Sequence, residues 1–438
     1  MKRPILILLY AALLAALALA WVRSAWLMPL RNYPFDFSIN YTGARLLSLT
    51  GHDGNIYDRQ LLAETAAPYT GYAALYTKLF LTYIQTPLTA VLIMPIAGLS
   101  LDDAQFALVA MSNALLVAAA AIMILALKPT RLLVLAAFII FATYEAMFDS
   151  LRLGQVDAVI VFCLAMAFLA LRRGRPWLVG APLAGAAILK LSPAIVIGYF
   201  VWRREWRVVA GAIVCGVALL AVSIGVAGWQ NHVTFVRETI PKLANGSTFY
   251  DNVSLGGALA RAHFGESSWY YEDEVPDWPI GLRLGAALLS AAIMLGGYAL
   301  ARRDAEAGFM IATVSAVLVA PIAWSFYPTW LIPSLLFLVH RFEMRRAWSR
   351  LALLVTLYPL LAIVPAHFST IDEDIYRLLP IVPPRFPAID EDIYRYPIKT
   401  AALALYWCLL AWEALTPASA PEPERRRESP AAMVGAPS

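Results

Sequence analysis

The chain has 438 residues, 61% of them hydrophobic and 15% charged, with a formal net charge of +4. Soluble domains run at about 45–50% apolar and about 25% charged, so an ordinary soluble enzyme and a disordered chain are both excluded. The basic residues sit in small groups between apolar runs and are not gathered on one face, which excludes a nucleic-acid binder. Cys163, Cys215 and Cys408 lie far apart inside such runs, without the CxxC spacing of a disulfide framework or zinc site.

A spanning helix needs about 20 apolar residues. Met1-Lys2-Arg3 and the run 4–22 read as a signal anchor, because the run exceeds a secretory h-region of about 7–15 residues and no A-x-A site follows. Further full-length spans are predicted over 104–127, 207–228, 281–301, 345–365 and 397–414. Shorter or Pro-interrupted segments occupy 83–100, 131–148, 156–171, 177–190, 192–202, 307–324 and 329–341. The fold class is therefore all-α, a polytopic transmembrane helical bundle of about 11–13 hydrophobic segments, some broken or re-entrant. Residues 1–415 form one membrane domain, and 416–438, rich in Pro, Ala, Glu and Arg, form a disordered cytoplasmic tail.

Short loops rich in Lys and Arg face the cytoplasm. That rule places Lys2/Arg3, Lys128/Arg131, Arg172/Arg173/Arg175, Arg203/Arg204/Arg207, Arg302/Arg303, Arg341/Arg345/Arg346 and Arg425–Arg427 inside, and the loops 23–80, 229–280 and 366–396 outside. The roughly 27 residues between Arg175 and Arg203 must leave and return, yet at ~1.5 Å per residue they cannot cross a ~30 Å core twice. Lys190-Leu191-Ser192-Pro193 is thus the tip of two half-helices, a form tolerated only where it is buried in protein or lines a cavity. The same parity fails between 80 and 128, so either 83–100 is re-entrant or the Lys128/Arg131 loop breaks the rule. Ile371–Arg377 and Ile389–Arg395 both read IDEDIYR. This duplication reads as a solvated external loop in preference to a metal site.

Only six of the 34 basic residues are Lys, and Lys190 alone reads as deep in an apolar stretch, the other five lying at ends, loops or segment borders. A Lys at the centre of a membrane helix costs ~2.5–3.5 kcal/mol, so it is a functional candidate by default, against snorkelling or pairing with Asp157 or Glu145. Asp36 follows the first span and precedes a helix-like stretch. It reads either as a general base at the membrane surface or as a helix cap. Asp58 after Tyr57 reads more as a cap. Glu145, Asp149, Arg152, Gln155 and Asp157 can line a cavity or glue helices. Trp324, Tyr327 and Trp330 surround a late helix break and read as interfacial anchors or a sugar or prenyl site. His232, His263 and His367 are scattered, Asn245-Gly-Ser and Asn252-Val-Ser match glycosylation acceptors weakly, and no Walker A or GxSxG motif occurs.

In order along the chain come Asp36-Phe with Tyr41, Gly51…Ile56-Tyr57-Asp58, Gln85-Thr-Pro87-Leu, Leu153-Gly154-Gln155-Val, Arg172-Arg173-Gly174-Arg, Gly185…Lys190-Leu-Ser-Pro193 and Pro321-Ile-Ala-Trp324…Tyr327…Pro333. This series resembles glycosyltransferase family 87 of the GT-C superfamily, over roughly residues 30–340. The resemblance implies transfer of a hexose, usually mannose, from a polyprenyl-phosphate donor to a glycan or glycolipid acceptor, inverting the anomeric centre at the external face. It implies Asp36 as the base and Lys190 on the donor phosphate. Gln155, Tyr41, Arg45, Asp58, Trp324 and Tyr327 become substrate-binding residues. It implies a multi-pass protein of the inner (plasma) membrane with a periplasmic active site and no nucleotide sugar; no metal motif is evident in the sequence, so metal independence is expected, with no cofactor and no nucleic acid. Tyr83-Ile-Gln-Thr-Pro87 stands where members often carry Tyr-Pro-Pro, and Ser325-Phe326 where they often carry His after the Trp. Both departures leave the sugar and acceptor open. A lipid-linked sugar transporter or flippase is the alternative, since broken helices around a midplane charge are a transporter feature. A non-enzymatic assembly subunit is the third reading, one that gives Asp36 and Lys190 no purpose.

Overall fold

The computed structural model describes residues 2–68, 83–265, 278–362 and 397–416, and among these the only pairing outside helix is an isolated bridge between Asn252 and Trp324. Helix α1 (Lys2–Val22) passes through a π-helical turn into α2 (Met28–Arg31). Most of its leucines and isoleucines, Ile5–Leu9, Leu13 and Leu19 among them, stay exposed, as lipid-facing side chains would be. Polar glue fixes it to the long α6 introduced below. Gln105 donates to Pro29 O and Asn32 O, and Asn113 donates to Ala25 O. Then come α3 (Phe35–Thr50), stopped by Gly51 at positive φ, and α4 (Arg59–Ala66). Next is α5 (Pro87–Ile93), extended by a 3-10 turn over Met94–Ile96. Ten residues rise only ~15 Å, half a membrane core, so the stretch expected over 83–100 does not cross.

Next come α6 (Leu101–Leu127), α7 (Arg131–Thr143) and α8 (Glu145–Leu153), the last two bent by 49° at Tyr144. Then follow α9 (Asp157–Arg172), α10 (Pro176–Leu189), α11 (Ala194–Trp202) and α12 (Trp206–Ala227). The expected pair of half-helices is α10 and α11, broken at Lys190–Pro193. Helices α10 and α12 pack backbone to backbone at two glycines, which lets them approach closely as small residues do in membrane bundles. A Cβ on Gly180 would meet Val208 O at 2.0 Å, and one on Gly211 would meet Trp177 O at 2.4 Å.

The second half contains α13 (Trp229–Thr234), α14 (Ile240–Ala244), α15 (Leu255–Phe264), α16 (Ile280–Leu300), α17 (Ala305–Leu318), a 3-10 turn over Tyr327–Leu331, α18 (Ile332–Met344), α19 (Trp348–Ala362) and α20 (Ile398–Leu415). Among the described residues, Pro4–Arg31, α6, α12, α16 and α20 are long and apolar enough to cross a membrane, and the bent α7–α8 pair adds one more. The protein is thus an all-α polytopic helical bundle. Helix α20 is fixed at its far end by Glu413, fully buried, with Arg345 and Arg350 each at 2.9 Å and Arg341 at 3.9 Å. Arg341 and Arg345, read above as topology markers, therefore also hold the bundle together.

Lys399 stands at a segment border as expected, in the first turn of α20, yet it is buried, 8% exposed. One expectation needs correction. Asn252 is no accessible glycosylation acceptor: it is fully buried, with its amide donating to Ser247 O and Pro321 O. Residues 363–365 at the end of the 345–365 span, the IDEDIYR repeat with the rest of 366–396, His367 and the tail from 417 lie outside the described residues.

Candidate active site

Asp36 sits in the first turn of α3, where the helix dipole favours a carboxylate. Its side chain makes no cap bond; the N-cap position belongs to Pro34. Instead, Asp36 accepts a hydrogen bond from Gln155 Nε2. Gln155 can reach because α8 ends at Gly154 in the left-handed conformation, φ 71° and ψ 42°, and Gln155 N closes back on Ser150 O. A Cβ on Gly154 would lie 2.4 Å from Phe37 Cβ. Only glycine, therefore, lets this turn press against the residue next to Asp36. Asp36 lies outside the spanning helices. Burial pushes its carboxyl up to about 6, opposed by the Gln155 hydrogen bond and Lys190 and reinforced by Asp149 and Asp157.

Lys190 caps α10 in extended conformation, φ −138° and ψ 133°, and is 5% exposed. Its Nζ donates to Asp157 Oδ1 at 2.9 Å. Asp157 also accepts from Trp330 Nε1 at 2.7 Å and from Ser150 Oγ at 3.0 Å. The ammonium lies over aromatic faces, 4.1 Å from the Tyr327 ring centre and 4.8 Å from that of Phe326. Tyr327 in turn stacks on Trp330 at 4.7 Å. Pairing with Asp157, weighed above as the alternative to a functional role, does occur. It does not remove Lys190 from Asp36, because Asp157 is two residues beyond Gln155 and the charges of Lys190 and Asp36 act on each other.

A second group of charges adjoins the first and was not anticipated as a unit. Ser325 is its hub: its Oγ donates to Asp149 Oδ2 at 3.2 Å, its N to Asp251 Oδ2 at 3.3 Å, and its carbonyl accepts from Lys399 Nζ at 3.1 Å. Asp149 also pairs with Arg152. Arg261 donates to Phe249 O and Asn252 O, bracing the loop that carries Asp251. Burial, with neighbouring Asp149 next, pushes Asp251 well above the usual carboxylate range. Asp149 and Arg152 stood among the sequence candidates. Lys399 offered only its place in the first turn of an apolar helix, and Asp251 offered no signal.

The remaining sequence candidates divide. Trp324 pairs with Asn252 and sets its ring 5.9 Å from Phe249, beside the second group. Tyr41 donates to Leu99 O at 2.6 Å, while Arg45 donates to the Tyr41 hydroxyl and to Ala97 O, so both tie α3 to the turn after α5. Asp58 is exposed and caps α4 through Gln60 N and Leu61 N. His232 bonds Gly228 O and Ser223 Oγ, away from both groups. No three His, Cys, Asp or Glu side chains cluster as metal ligands among the described residues.

A multi-span helical bundle that buries a carboxylate beside a half-helix-tip lysine defines a membrane protein with an embedded polar site. The chain belongs to glycosyltransferase family 87, whose sequence pattern matches residues 83–328. That stretch includes Gln155, Asp157, Lys190, Asp251 and Ser325 and leaves Asp36 and Lys399 outside. The chain is 27% identical over 337 residues, 69% of its length and 73% of the relative's, to a polyprenol-phosphate-mannose-dependent alpha-(1-2)-phosphatidylinositol mannoside mannosyltransferase of Mycolicibacterium smegmatis. It is 25% identical to the Mycobacterium tuberculosis protein of the same description, over 82% of this chain and 81% of that one. A pentamannoside mannosyltransferase of M. smegmatis matches at 29% over 43% of each chain. Family membership makes this a membrane glycosyltransferase and decides against the transporter reading.

Proposed function

We propose that the protein transfers mannose from a polyprenyl-phosphate donor to a hydroxyl of a glycolipid or glycan acceptor at the external face of the inner membrane, with inversion. The observation that carries this reading is the Gln155–Asp36 hydrogen bond, which joins the first-loop carboxylate to the Asp157–Lys190 pair. The acceptor oxygen attacks the anomeric carbon, and the bond from that carbon to the phosphate oxygen breaks. Asp36 takes the acceptor proton, and the polyprenyl phosphate leaves. Lys190, with one N–H on Asp157, has donors left for the leaving phosphate, where a preorganised cation in a water-poor site acts strongly. Asp157 and the Tyr327 and Phe326 faces hold that ammonium in place before substrate arrives. Single displacement requires base and leaving group on opposite faces of the sugar, which groups carried by separate helices, Asp36 on α3 and Lys190 at the end of α10, are able to provide.

The test is an assay of purified protein with several polyprenyl-phosphate sugars and candidate acceptors, reading products by mass and anomeric configuration by NMR. A mannosylated product with inverted configuration, absent with Asp36→Asn, is expected. Near-normal turnover by Asp36→Asn would remove Asp36 from the mechanism. A retained configuration would remove the single displacement.

A further inference from the structure

The second group of charges has no task in the donor chemistry just described, yet it is built from four separate elements. Asp149 comes from α8, Asp251 from the loop before α15, Ser325 from the break after α17, and Lys399 from the first turn of α20. Charges inside a helical bundle are costly, which makes such a cluster a functional candidate. The charge balance indicates what kind. Asp149, Asp251 and Glu145 all act on Lys399, with Arg152 beside Asp149 and Arg261 beside Asp251. Three cations against three carboxyl groups leave no surplus charge to select an ion, while the carboxyl and serine oxygens supply hydrogen-bond acceptors.

A second observation points the same way. Gln155 is 4% exposed, its Nε2 is committed to Asp36, and its Oε1 is buried with no donor partner. A buried acceptor left without a donor carries a desolvation penalty that a ligand hydroxyl relieves. Ser150, next to Asp149, donates to Asp157, and Phe326 and Tyr327, next to Ser325, lie against the Lys190 ammonium, so the second group adjoins the first. A cluster of hydrogen-bonding groups next to a base, with one acceptor left unpartnered, suits a neutral molecule that carries many O–H groups.

We propose that Asp149, Asp251 and Lys399, organised by Ser325, form the acceptor subsite and bind the hydroxyls of a neutral sugar, with Gln155 Oε1 completing it on the donor side. The proposal rests on the transferase reading above. It places acceptor recognition in the loop before α15 and in the C-terminal helix, and donor recognition at the α10 tip. Lys399 then donates to ring or hydroxyl oxygens with the N–H groups not given to Ser325 O.

The test uses methyl α-D-mannopyranoside as the acceptor probe and a short-chain prenyl-phosphate mannose as donor, on the full chain and on Lys399→Met, Asp251→Asn and Thr400→Val. Thr400 is the neighbouring buried control, whose hydroxyl donates to Val253 O. A rise of at least tenfold in KM for the mannoside is expected for the first two variants, with donor KM within twofold, and no more than a twofold change in either for Thr400→Val. Lys399→Arg, which keeps a cation on Ser325 O, should recover part of the acceptor affinity and guards against a Lys399→Met that does not fold. Equal rises in both KM values, or none in the mannoside KM, would overturn the subsite. Saturation-transfer NMR of the mannoside separates this idea from the transferase reading, since binding is read without turnover. Signal present with the full chain and lost in Lys399→Met supports the subsite even if no product forms. Absence of signal with the full chain refutes it.

Discussion

Replacing Asp36 by Asn should abolish transfer and at the same time stabilise the protein. Burial raises the Asp36 carboxyl from 3.8 to about 6. The difference, 6 − 3.8, is about 2.2 pH units, and at ~1.36 kcal/mol each the folded state disfavours the ionised form by about 3 kcal/mol. Because the folded pKa lies above the unfolded one, the residue's favourable contribution is full below about 3.8 and is lost as pH rises through about 6. At pH 8 the carboxylate is ionised and the whole strain is present. Asn is uncharged and close in shape, so it escapes this strain. The gain is at most about 3 kcal/mol, because solvent at the partly exposed carboxylate screens it, and is worth a few degrees in melting temperature for a chain of this size. Losing a general base should lower the rate by about 10²–10⁴. Thermal unfolding of both proteins in the same detergent at pH 5 and pH 8, with transfer assays alongside, reads both effects. The stability difference should be full at pH 8 and about half as large, ~1.6 kcal/mol, at pH 5, because the unfolded carboxyl already ionises above about 3.8. A variant no more stable at pH 8, or equally stabilised at both values, would show that Asp36 is not held in a strained ionised state.

The same titration predicts that transfer by the unmodified protein falls as pH drops through about 6, since the base must be ionised. A rate flat between pH 5 and 8 would contradict this. Lys190→Met leaves Asp157 buried without its cation. Breaking such a pair costs about 3–5 kcal/mol, so thermal stability and donor affinity should both drop, whereas Lys190→Met with Asp157→Asn should restore stability without donor binding. Gly154→Ala forces a side chain into positive φ against Phe37. A loss of about 1–3 kcal/mol should come with a fall in kcat, because the turn no longer presents Gln155 to Asp36. A fall in stability with kcat intact would separate that turn from catalysis. Glu413→Gln removes the anion shared by Arg341, Arg345 and Arg350. It should lower stability by about 3 kcal/mol with little change in KM for either substrate, measured by thermal unfolding and steady-state kinetics.

Much of the architecture was legible from the sequence because lipid imposes strong rules. Backbone in a membrane must bond to itself, so about 20 apolar residues already mean a helix. The break at Lys190 followed from basic loops on the same side at both ends and from length, as 27 or so residues cannot cross twice. Scarcity of charge also made Lys190 and Asp36 stand out, and the order of weak motifs pointed to the family that the comparisons then showed. What the sequence could not supply was which charges meet. Lys399 and Asp251 are separated by nearly 150 residues and share one serine's backbone, a meeting set by how α20 packs and not by any local pattern. The roles of neighbouring residues divided in the same way. Asp58 and Asp36 looked alike as carboxylates beside a helix start. The fold turned Asp58 outward to cap α4 and gave Asp36 a partner from α8–α9, because Gly154 alone allows that turn to approach. Tyr41 and Arg45 went to holding α3 against the turn after α5. By itself, then, the sequence determined the class, the helices and the two groups that stand out energetically in an apolar chain. Only the tertiary structure decided their partners, since hydrogen bonds and ion pairs depend on distances of a few ångströms between segments that the one-dimensional order keeps far apart.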